Sequence, residues 1–420
     1  MTSHPRTLLR RLAAVILLAA AIAAPLWRLH VIAPWVPSSQ SDLLPRWIGT
    51  QVALAGHDPY SARTQHMIER AYYGEALHHG KPNRRQAFLY PAHVVLLLLP
   101  LAHLSWQSAR ITYTAIVLPL LVASFWLCLR SLKLRLSPGQ TAAVLILACF
   151  SWPVVWGLRL EQLTLPVAAL IFFAGFLLAQ GRQVIPGLLL AFTTIKPQLV
   201  LPLLAWLVLW AILRRNWAFI VSFAVSLVGL LTVTECIVPG WWPHWLASLH
   251  GYSAITNTAP PLEFLLGSWL GLPLTILIAA VASLALWRLR RSSPNSAEFG
   301  LGVSLTLALA VTLAPTDAAM LYNQVLLLPA CLLLLFHRPT APVSSLARRF
   351  ALAVLFAEFV IVAVSALGDA ITGVNDFWQR LLLFDHFLAP TLAFALASGV
   401  LSRTTVRVSQ PQPLPVPSCP

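Results

Sequence analysis

Long apolar runs alternate with short polar segments along most of the chain. Runs of about 17–25 apolar residues are typical of transmembrane helices. Twelve candidate segments follow this pattern: 12–33, 88–106, 110–130, 140–157, 163–180, 184–213, 217–238, 264–287, 299–314, 319–336, 347–367 and 382–402. The chain is 420 residues long, 58% hydrophobic and only 10% charged, and a soluble protein of this size could not bury so much apolar surface. The pattern predicts an all-α polytopic membrane protein with about 11–13 transmembrane helices, forming one membrane domain over residues 1–403.

The positive charges lie as short clusters at the ends of the apolar runs. The net charge is +15, but this distribution indicates the bilayer as partner and no nucleic acid. Counting crossings predicts a multi-pass cell-membrane protein with a cytosolic N-terminus and outward loops at 239–263, 315–318 and 368–379, which contain no Lys or Arg. The scattered cysteines indicate no metal site. The proline-rich residues 404–420 are predicted to be a disordered cytosolic tail.

The first half of the chain fits this orientation less well. Arg130, Lys133, Arg135 and Arg182 would face outward. The mismatch disappears if 88–106 does not fully cross and if 184–213 is two short helices broken at Lys196-Pro197. A helix break at membrane depth is tolerated where it lines a protein cavity. Both topologies remain open at this point.

A polar segment, residues 34–87, separates the first two apolar runs. Apolar residues recur at helical spacing in 42–54 and 61–77, which predicts an ordered outward loop with two amphipathic helices in the membrane interface. Asp42 begins the first of them. Its carboxylate is either a helix N-cap, with Arg46 as its i,i+4 partner, or a functional group that points into a cavity.

Lys196 stands in the middle of roughly thirty otherwise uncharged residues. A charge at that depth costs several kcal/mol unless it meets a partner or water. Snorkelling from a helix end is one explanation; a lysine that binds a lipid phosphate is the other. Arg159, Glu161 and Gln162 form a further polar group at a membrane edge. The segment 239–261 has four aromatic rings, which indicate either an interfacial aromatic belt or a sugar-binding platform.

Four motifs follow Asp42 of the first loop in a suggestive order: "GHDPYS", "FLYPAHVVLLLLPLAHL", "GLLLAFTTIKPQLVLPLLAWLVLW" and "YNQVLLLPA". This order resembles glycosyltransferase family 87 of the GT-C superfamily, which includes mycobacterial polyprenol-phosphate-mannose-dependent mannosyltransferases. The resemblance implies a GT-C-like fold with its active site between the first outward loop and the membrane. It implies transfer of a hexose, mannose above all, from a polyprenyl-phosphate carrier to a lipid or glycan acceptor on the outer face. The lipid-linked sugar is the donor, and no metal or other cofactor is predicted.

Carried over residue by residue, the resemblance implies that Asp42 is the catalytic base and Lys196 a ligand of the donor phosphate. The other predicted substrate-binding residues are Arg46, Tyr60, Tyr90, Gln162, Gln198, Tyr322 and Asn323. The chemistry agrees, because an inverting single displacement needs one base and a cation for the charge on the leaving phosphate. The alternative is a transporter or flippase for a lipid-linked or anionic substrate, which would use the same cavity and broken helix.

Overall fold

The computed structural model describes residues 5–32, 40–74, 86–253, 258–315, 321–336, 342–373 and 382–408. All regular structure in these ranges is helical. The α-helices are α1 (Pro5–Ile32), α2 (Leu43–Leu54), α3 (Ala62–Tyr73), α4 (Val94–Ala102), α5 (Trp106–Ser131), α6 (Pro138–Cys149), α7 (Trp152–Arg159), α8 (Thr164–Ala179), α9 (Val184–Thr193), α10 (Pro197–Leu213), α11 (Trp217–Ile237), α12 (Trp241–Ser253), α13 (Pro261–Leu289), α14 (Ala297–Leu313), α15 (Leu328–Phe336), α16 (Pro342–Thr372) and α17 (Leu388–Val408). Two 3₁₀ segments, Leu321–Leu327 and Leu382–Phe387, precede α15 and α17.

Several of these helices are long and apolar enough to cross a membrane. Within the described residues there are five such stretches, or six if the bent pair α6 and α7 is one span: Trp106–Ser131, Trp217–Ile237, Pro261–Leu289, Ser345–Thr372 and Phe384–Ser402. Most of the other predicted crossings correspond to shorter apolar helices of 10–17 residues. The prediction of an all-α polytopic membrane protein is confirmed.

Helix breaks explain why fewer long helices than predicted crossings are found. The prediction of a span over 88–106 is wrong as a full crossing: α4 has nine residues and is about 14 Å long, half the thickness of the hydrocarbon core. The predicted break at Lys196-Pro197 is confirmed, because α9 ends at Thr193 and α10 begins at Pro197. Proline is favoured at that first helical position, where its missing N–H breaks no helical hydrogen bond.

Basic loops meet at one end of the helix bundle. Lys133 Nζ donates to the carbonyl oxygen of Asn295 at 2.7 Å, and Arg214 Nη1 donates to that of Arg291 at 3.3 Å. The loops that follow α5, α10 and α13 therefore share this end, which we call the basic end. The mismatch at Lys133 is resolved by the topology with the short α4 and the broken 184–213 segment.

The first loop forms both predicted helices, α2 and α3, at the opposite end. The interfacial orientation predicted for α2 is corrected, because the apolar face of α2 packs against α4 and the protein core. Leu43 and Leu44 are buried, and Trp47 Nε1 donates to the Leu101 carbonyl oxygen at 3.0 Å. Burial in protein removes the same apolar area from water as burial in lipid and adds directional hydrogen bonds. Gly49 permits the close approach, since a Cβ there would lie 2.1 Å from the Phe88 ring.

Some predictions concern residues outside the described ranges. These are the ends of the first loop at 34–39 and 75–85, Asp317, and residues 409–420 of the predicted tail. Helix α17 continues to Val408, past residue 404, where the tail was predicted to begin.

Candidate active site

Lys196 occupies the break between α9 and α10 and is 4% exposed. Its Nζ donates to Thr164 Oγ1 at 2.5 Å, to Gln162 Oε1 at 3.2 Å and to Asn323 Oδ1 at 3.4 Å. All three acceptors are neutral oxygens. No ion pair between described residues includes Lys196. The Lys196 amine is therefore held by neutral dipoles and not by a carboxylate.

Asp42 stands directly before α2 and is held to the end of α7. Its backbone N–H donates to the Leu160 carbonyl at 2.9 Å, and its Oδ2 accepts a hydrogen bond from Gln162 Nε2. The carboxylate makes no capping bond to α2; Ser41 Oγ accepts the N–H of Leu43 at 3.0 Å instead. The N-cap interpretation of the carboxylate is wrong, and the side chain points towards Gln162. It remains 21% exposed, so a substrate can reach it.

Gln162 joins the side chains of Asp42 and Lys196. Its amide nitrogen donates to Asp42, and its amide oxygen accepts from Lys196. The turn that presents Gln162 is fixed by α5, because Tyr113 Oη donates to the Gln162 carbonyl at 2.6 Å. Glu161, which has a left-handed backbone (φ 52°), pairs with Arg110 at 2.7 Å and is thereby neutralised.

Aromatic rings complete the surroundings of the two cations. The Tyr90 ring centroid lies 4.5 Å from Arg46 Cζ and 5.6 Å from Lys196 Nζ, and the Tyr322 ring lies 5.3 Å from Lys196 Nζ. Ring faces attract cations at these distances. Arg46 also donates to the Asp42 carbonyl, and its Nη1 lies 3.8 Å from Asp42 Oδ1. The predicted Arg46–Asp42 contact is thus present, within a larger cluster.

Tyr60 supports this cluster from outside. Its hydroxyl donates to the Tyr90 carbonyl at 2.7 Å, and burial, with a smaller contribution from Asp58, raises the pKa of Tyr60 above its usual range. The phenol therefore stays protonated and remains a donor. It orients the Tyr90 backbone and does not contact Lys196 or Asp42 in the described hydrogen-bond network.

Gln198, unlike Tyr60, does not even contact a member of the cluster through a described hydrogen bond. It is exposed in the first turn of α10. Among the described residues, no hydrogen bond connects it to Lys196, Gln162 or Asp42.

Three residues of the site were not predicted from the sequence. Thr164 Oγ1 accepts from Lys196 and donates to Asn323. Tyr113 holds Gln162, and His93 Nε2 lies 3.0 Å from Thr194 Oγ1 beside the helix break. Hydroxyl side chains within apolar runs usually hydrogen-bond to the backbone of their own helix, so their presence in the sequence does not indicate a functional site. The buried polar pair Gln162 and Thr164, two residues apart, was the only available indication.

The aromatic segment after α11 packs against the first loop. Trp241 and Trp245 are buried, and Trp245 Nε1 donates to the Leu89 carbonyl at 3.0 Å. His244 Nδ1 lies 2.9 Å from Asp58 Oδ2. Only Trp242 of these three tryptophans is exposed. Two of the rings therefore hold the loop in place and are not available as a sugar-binding platform.

The cluster formed by Asp42, Arg46, Tyr90, Gln162, Thr164, Lys196, Tyr322 and Asn323, which we call the Lys196 cluster, combines one carboxylate with two cations. Its formal charge is positive when all three groups are ionised. An anion bound between Lys196 and Arg46 would lie next to a carboxylate that can accept a proton. This is the arrangement that displacement of a phosphate leaving group by a hydroxyl requires.

The model of glycosyltransferase family 87 matches residues 88–315, more than half of the chain. The matched range contains Tyr90, Gln162, Thr164 and Lys196, whereas Asp42 and the 3₁₀ segment with Asn323 lie outside it. No curated protein and no solved structure matches the chain.

Proposed function

The chain belongs to glycosyltransferase family 87, and from this membership we propose that it transfers a hexose from a polyprenyl-phosphate carrier to a lipid or glycan acceptor. Mannose is the first candidate for the sugar. Membership makes the chain a membrane glycosyltransferase and favours the enzyme over the transporter or flippase. The donor, the stereochemistry and the residue roles are our proposal.

The observation that carries the proposal is the Gln162 bridge. Asp42 and Lys196 are 154 positions apart in the sequence numbering, yet one side-chain amide contacts both. The proposed proton acceptor and the proposed phosphate-binding cation are therefore joined in one side-chain cluster. Had they been on opposite sides of the bundle, a single displacement could not have used both.

In the proposed reaction the acceptor hydroxyl oxygen forms a bond to the anomeric carbon while the bond from that carbon to the phosphate oxygen breaks. The hydroxyl proton passes to the Asp42 carboxylate, and the polyprenyl phosphate leaves with the electron pair. This single displacement inverts the anomeric configuration and needs no second carboxylate as nucleophile. The close Arg110–Glu161 ion pair supports the assignment, because it leaves Asp42 as the more exposed and less tightly paired carboxylate beside Gln162.

Lys196 and Arg46 supply the positive charge for the donor. Lys196 can exchange one of its neutral acceptors for a phosphate oxygen without breaking an ion pair, so the cost of reorganisation is small. Charge-assisted hydrogen bonds to phosphate are about twice as strong as neutral ones. The Tyr90 ring contacts both cations and so links them within the cluster.

The proposed outer-face location follows from the position of the cluster. The Lys196 cluster lies at the end of the bundle opposite the basic end. Basic loops favour the cytosol, and this supports a proposed position of the cluster towards the outer leaflet of the cell membrane, with the N-terminus of α1 on the cytosolic side. There, a polyprenyl tail stays in lipid while its phosphosugar enters the pocket.

The test is transfer of labelled sugar from a panel of polyprenyl-phosphate sugars to acceptors in membranes that contain the protein. Asp42→Asn keeps an oxygen that can accept from Gln162 and removes the base, so transfer should fall by about 10²–10⁴-fold with unchanged expression. Asp58→Asn, in the same loop, is the matched control and should retain transfer. An active Asp42→Asn variant would exclude the mechanism. Transfer from a nucleotide sugar, with no polyprenyl-phosphate sugar used, would exclude the donor.

A further inference from the structure

A cavity of about 500 Å³ lies on another side of the 3₁₀ segment Leu321–Leu327. It is bounded by α1, α5, α6, α7, α15, α16 and the start of α17. Its volume falls within the range of about 300–1,000 Å³ that small-molecule sites occupy. Most of its wall is apolar, including Ala24, Phe125, Leu147, Leu332 and Phe359. A hydrocarbon chain matches this wall.

Three polar side chains interrupt the apolar wall: Gln324, Glu358 and Asp385. Asp385 is 3% exposed, and Gln324 Nε2 donates to its backbone carbonyl at 2.8 Å. Asp385 Oδ1 and Glu358 Oε1 are buried and have no hydrogen-bond partner among the described residues. The two carboxyl groups are close enough to interact electrostatically. This cavity with its two carboxyl groups is called the acidic cavity below.

The nearest cation is already engaged. Arg28 Nη2 lies 3.3 Å from Asp369 Oδ2, with both side chains fully buried, and the same guanidinium also attracts Asp385. Two carboxyl groups, those of Asp369 and Asp385, thus share one guanidinium. Burying an unpartnered carboxyl group in an apolar environment is costly, and hydrogen-bond donors on a bound molecule would offset that cost.

We propose that the acidic cavity binds a lipid with a single hydrocarbon chain and a head group that donates hydrogen bonds, either a hydroxyl or an ammonium group. The chain occupies the apolar part, and the head group donates to Glu358 and Asp385. The proposal does not depend on the glycosyl-transfer reaction. The occupant lies next to the Lys196 cluster, because Gln324 follows Asn323 in one 3₁₀ segment.

The test is photo-crosslinking of the full chain in vesicles of phosphatidylcholine, whose head group has no N–H or O–H donor. Three diazirine-bearing sixteen-carbon probes are compared: the alcohol, the primary amine and the methyl ether. The alcohol, the amine or both should label peptides of α6, α15 or α16 saturably, and at least about tenfold more than the ether, as expected for one charge-assisted hydrogen bond. Whichever of the alcohol and the amine labels more strongly identifies the head group as a hydroxyl or an ammonium group. Equal labelling by the ether would overturn the proposal.

Two kinds of variant locate the binding. Glu358→Leu with Asp385→Leu should reduce labelling to the level of the ether, whereas Glu298→Gln, an exposed carboxyl group in the first turn of α14, should not. Ala148→Phe should block labelling by filling the cavity while leaving both carboxyl groups in place. If the double variant Glu358→Leu with Asp385→Leu does not fold, labelling of Ala148→Phe decides whether the probe binds in the acidic cavity. Undiminished labelling of folded Ala148→Phe, or of the folded double variant, would refute the site.

Discussion

Lys196 and Arg28 are both buried cations within the membrane domain, but their hydrogen-bond and ion-pair partners differ. Arg28 is fully buried and forms an ion pair with Asp369. Lys196 is almost as deeply buried but contacts only neutral acceptors, and Gln162 separates it from Asp42. A cation neutralised by a carboxylate contributes to the fold, whereas a cation held by dipoles retains a field for a ligand.

The positions of Arg28 and Lys196 relative to the helices agree with this distinction. Arg28 lies in the middle of helix packing, since it joins α1 to Asp369 of α16 and stands over the Trp152 ring of α7 at 5.2 Å. Lys196 lies at a helix break, where backbone groups and side chains from α8, α10 and the Leu321–Leu327 segment converge. Broken helices at membrane depth are typical of ligand sites. We expect substitutions at the two cations to separate stability from activity.

Arg28→Met should have the largest effect, and on stability. It leaves Asp369 buried without its partner, and breaking a buried ion pair in this way costs about 3–5 kcal/mol. Unfolding in detergent micelles, followed by loss of the monodisperse chromatographic peak, measures the change. Transfer per folded molecule should stay near wild type.

The control for Arg28 removes both charges. Arg28→Met with Asp369→Leu should recover most of the lost stability, because replacing a buried ion pair with apolar residues is often neutral. If the double variant is as unstable as Arg28→Met, the ion pair is not the source of the effect.

Lys196→Met should lower transfer by about 10²–10³-fold, the usual effect of removing one preorganised electrostatic contact to developing charge. Its effect on stability should be smaller than that of Arg28→Met, because its partners are neutral. Rates at saturating donor and apparent melting temperatures measure the two effects. Lys133→Met, at the basic end, is the matched control and should transfer normally. A Lys196→Met protein with wild-type donor use would contradict the assigned role.

Gln162→Glu should make Lys196 resemble Arg28. A carboxylate in place of the amide would pair with the ammonium and compete with the donor phosphate, so the donor concentration for half-maximal rate should rise by about 10–100-fold. The neutral Gln162→Leu variant serves as the comparison and should shift this concentration less. An equal rise of the half-maximal donor concentration in both variants would show that the effect comes from losing the Gln162 hydrogen bonds and not from the introduced negative charge.

Tyr113→Phe should have the smallest effect. It removes the hydroxyl that holds the Gln162 carbonyl, which is worth about 0.5–1.5 kcal/mol, so transfer should fall less than about tenfold. A loss comparable to that of Lys196→Met would mean that Tyr113 contacts the substrate itself.

Much of the candidate site could be predicted where the signal was local. Lys196 interrupts a long uncharged run, and the helical periodicity of 42–54 predicted α2. The break at Lys196-Pro197 followed from counting charges on either side of the membrane. The role of Gln198 could not be judged in this way, because adjacency to Lys196 in sequence does not place a side chain in the same cluster.

Two incorrect predictions, the span over 88–106 and the interfacial position of α2, rested on hydropathy alone. The hydropathy of 88–106 reports preference for an apolar environment and not where the chain turns, so only the charge count indicated an incomplete crossing and neither gave the bounds of the nine-residue α4. The apolar face of α2 likewise required burial, and whether lipid or α4 provided it was undecided. Glu358, Asp369 and Asp385 carried no distinguishing pattern before α1, α16 and α17 were packed together.

The amino-acid sequence alone establishes that this chain is a helical membrane protein, which residues are costly to bury, and where several helices begin and end. These properties depend on the free energy of moving short segments from water to an apolar environment, so they can be read from each segment without its neighbours. The pairing of each costly group with its partner, by contrast, is set by helix packing. Asp42 and Gln162 are 120 residues apart, and Thr164 and Asn323 are 159 apart; their hydrogen bonds exist only because helix packing closes those long loops, and no local pattern of residues encodes such a pairing.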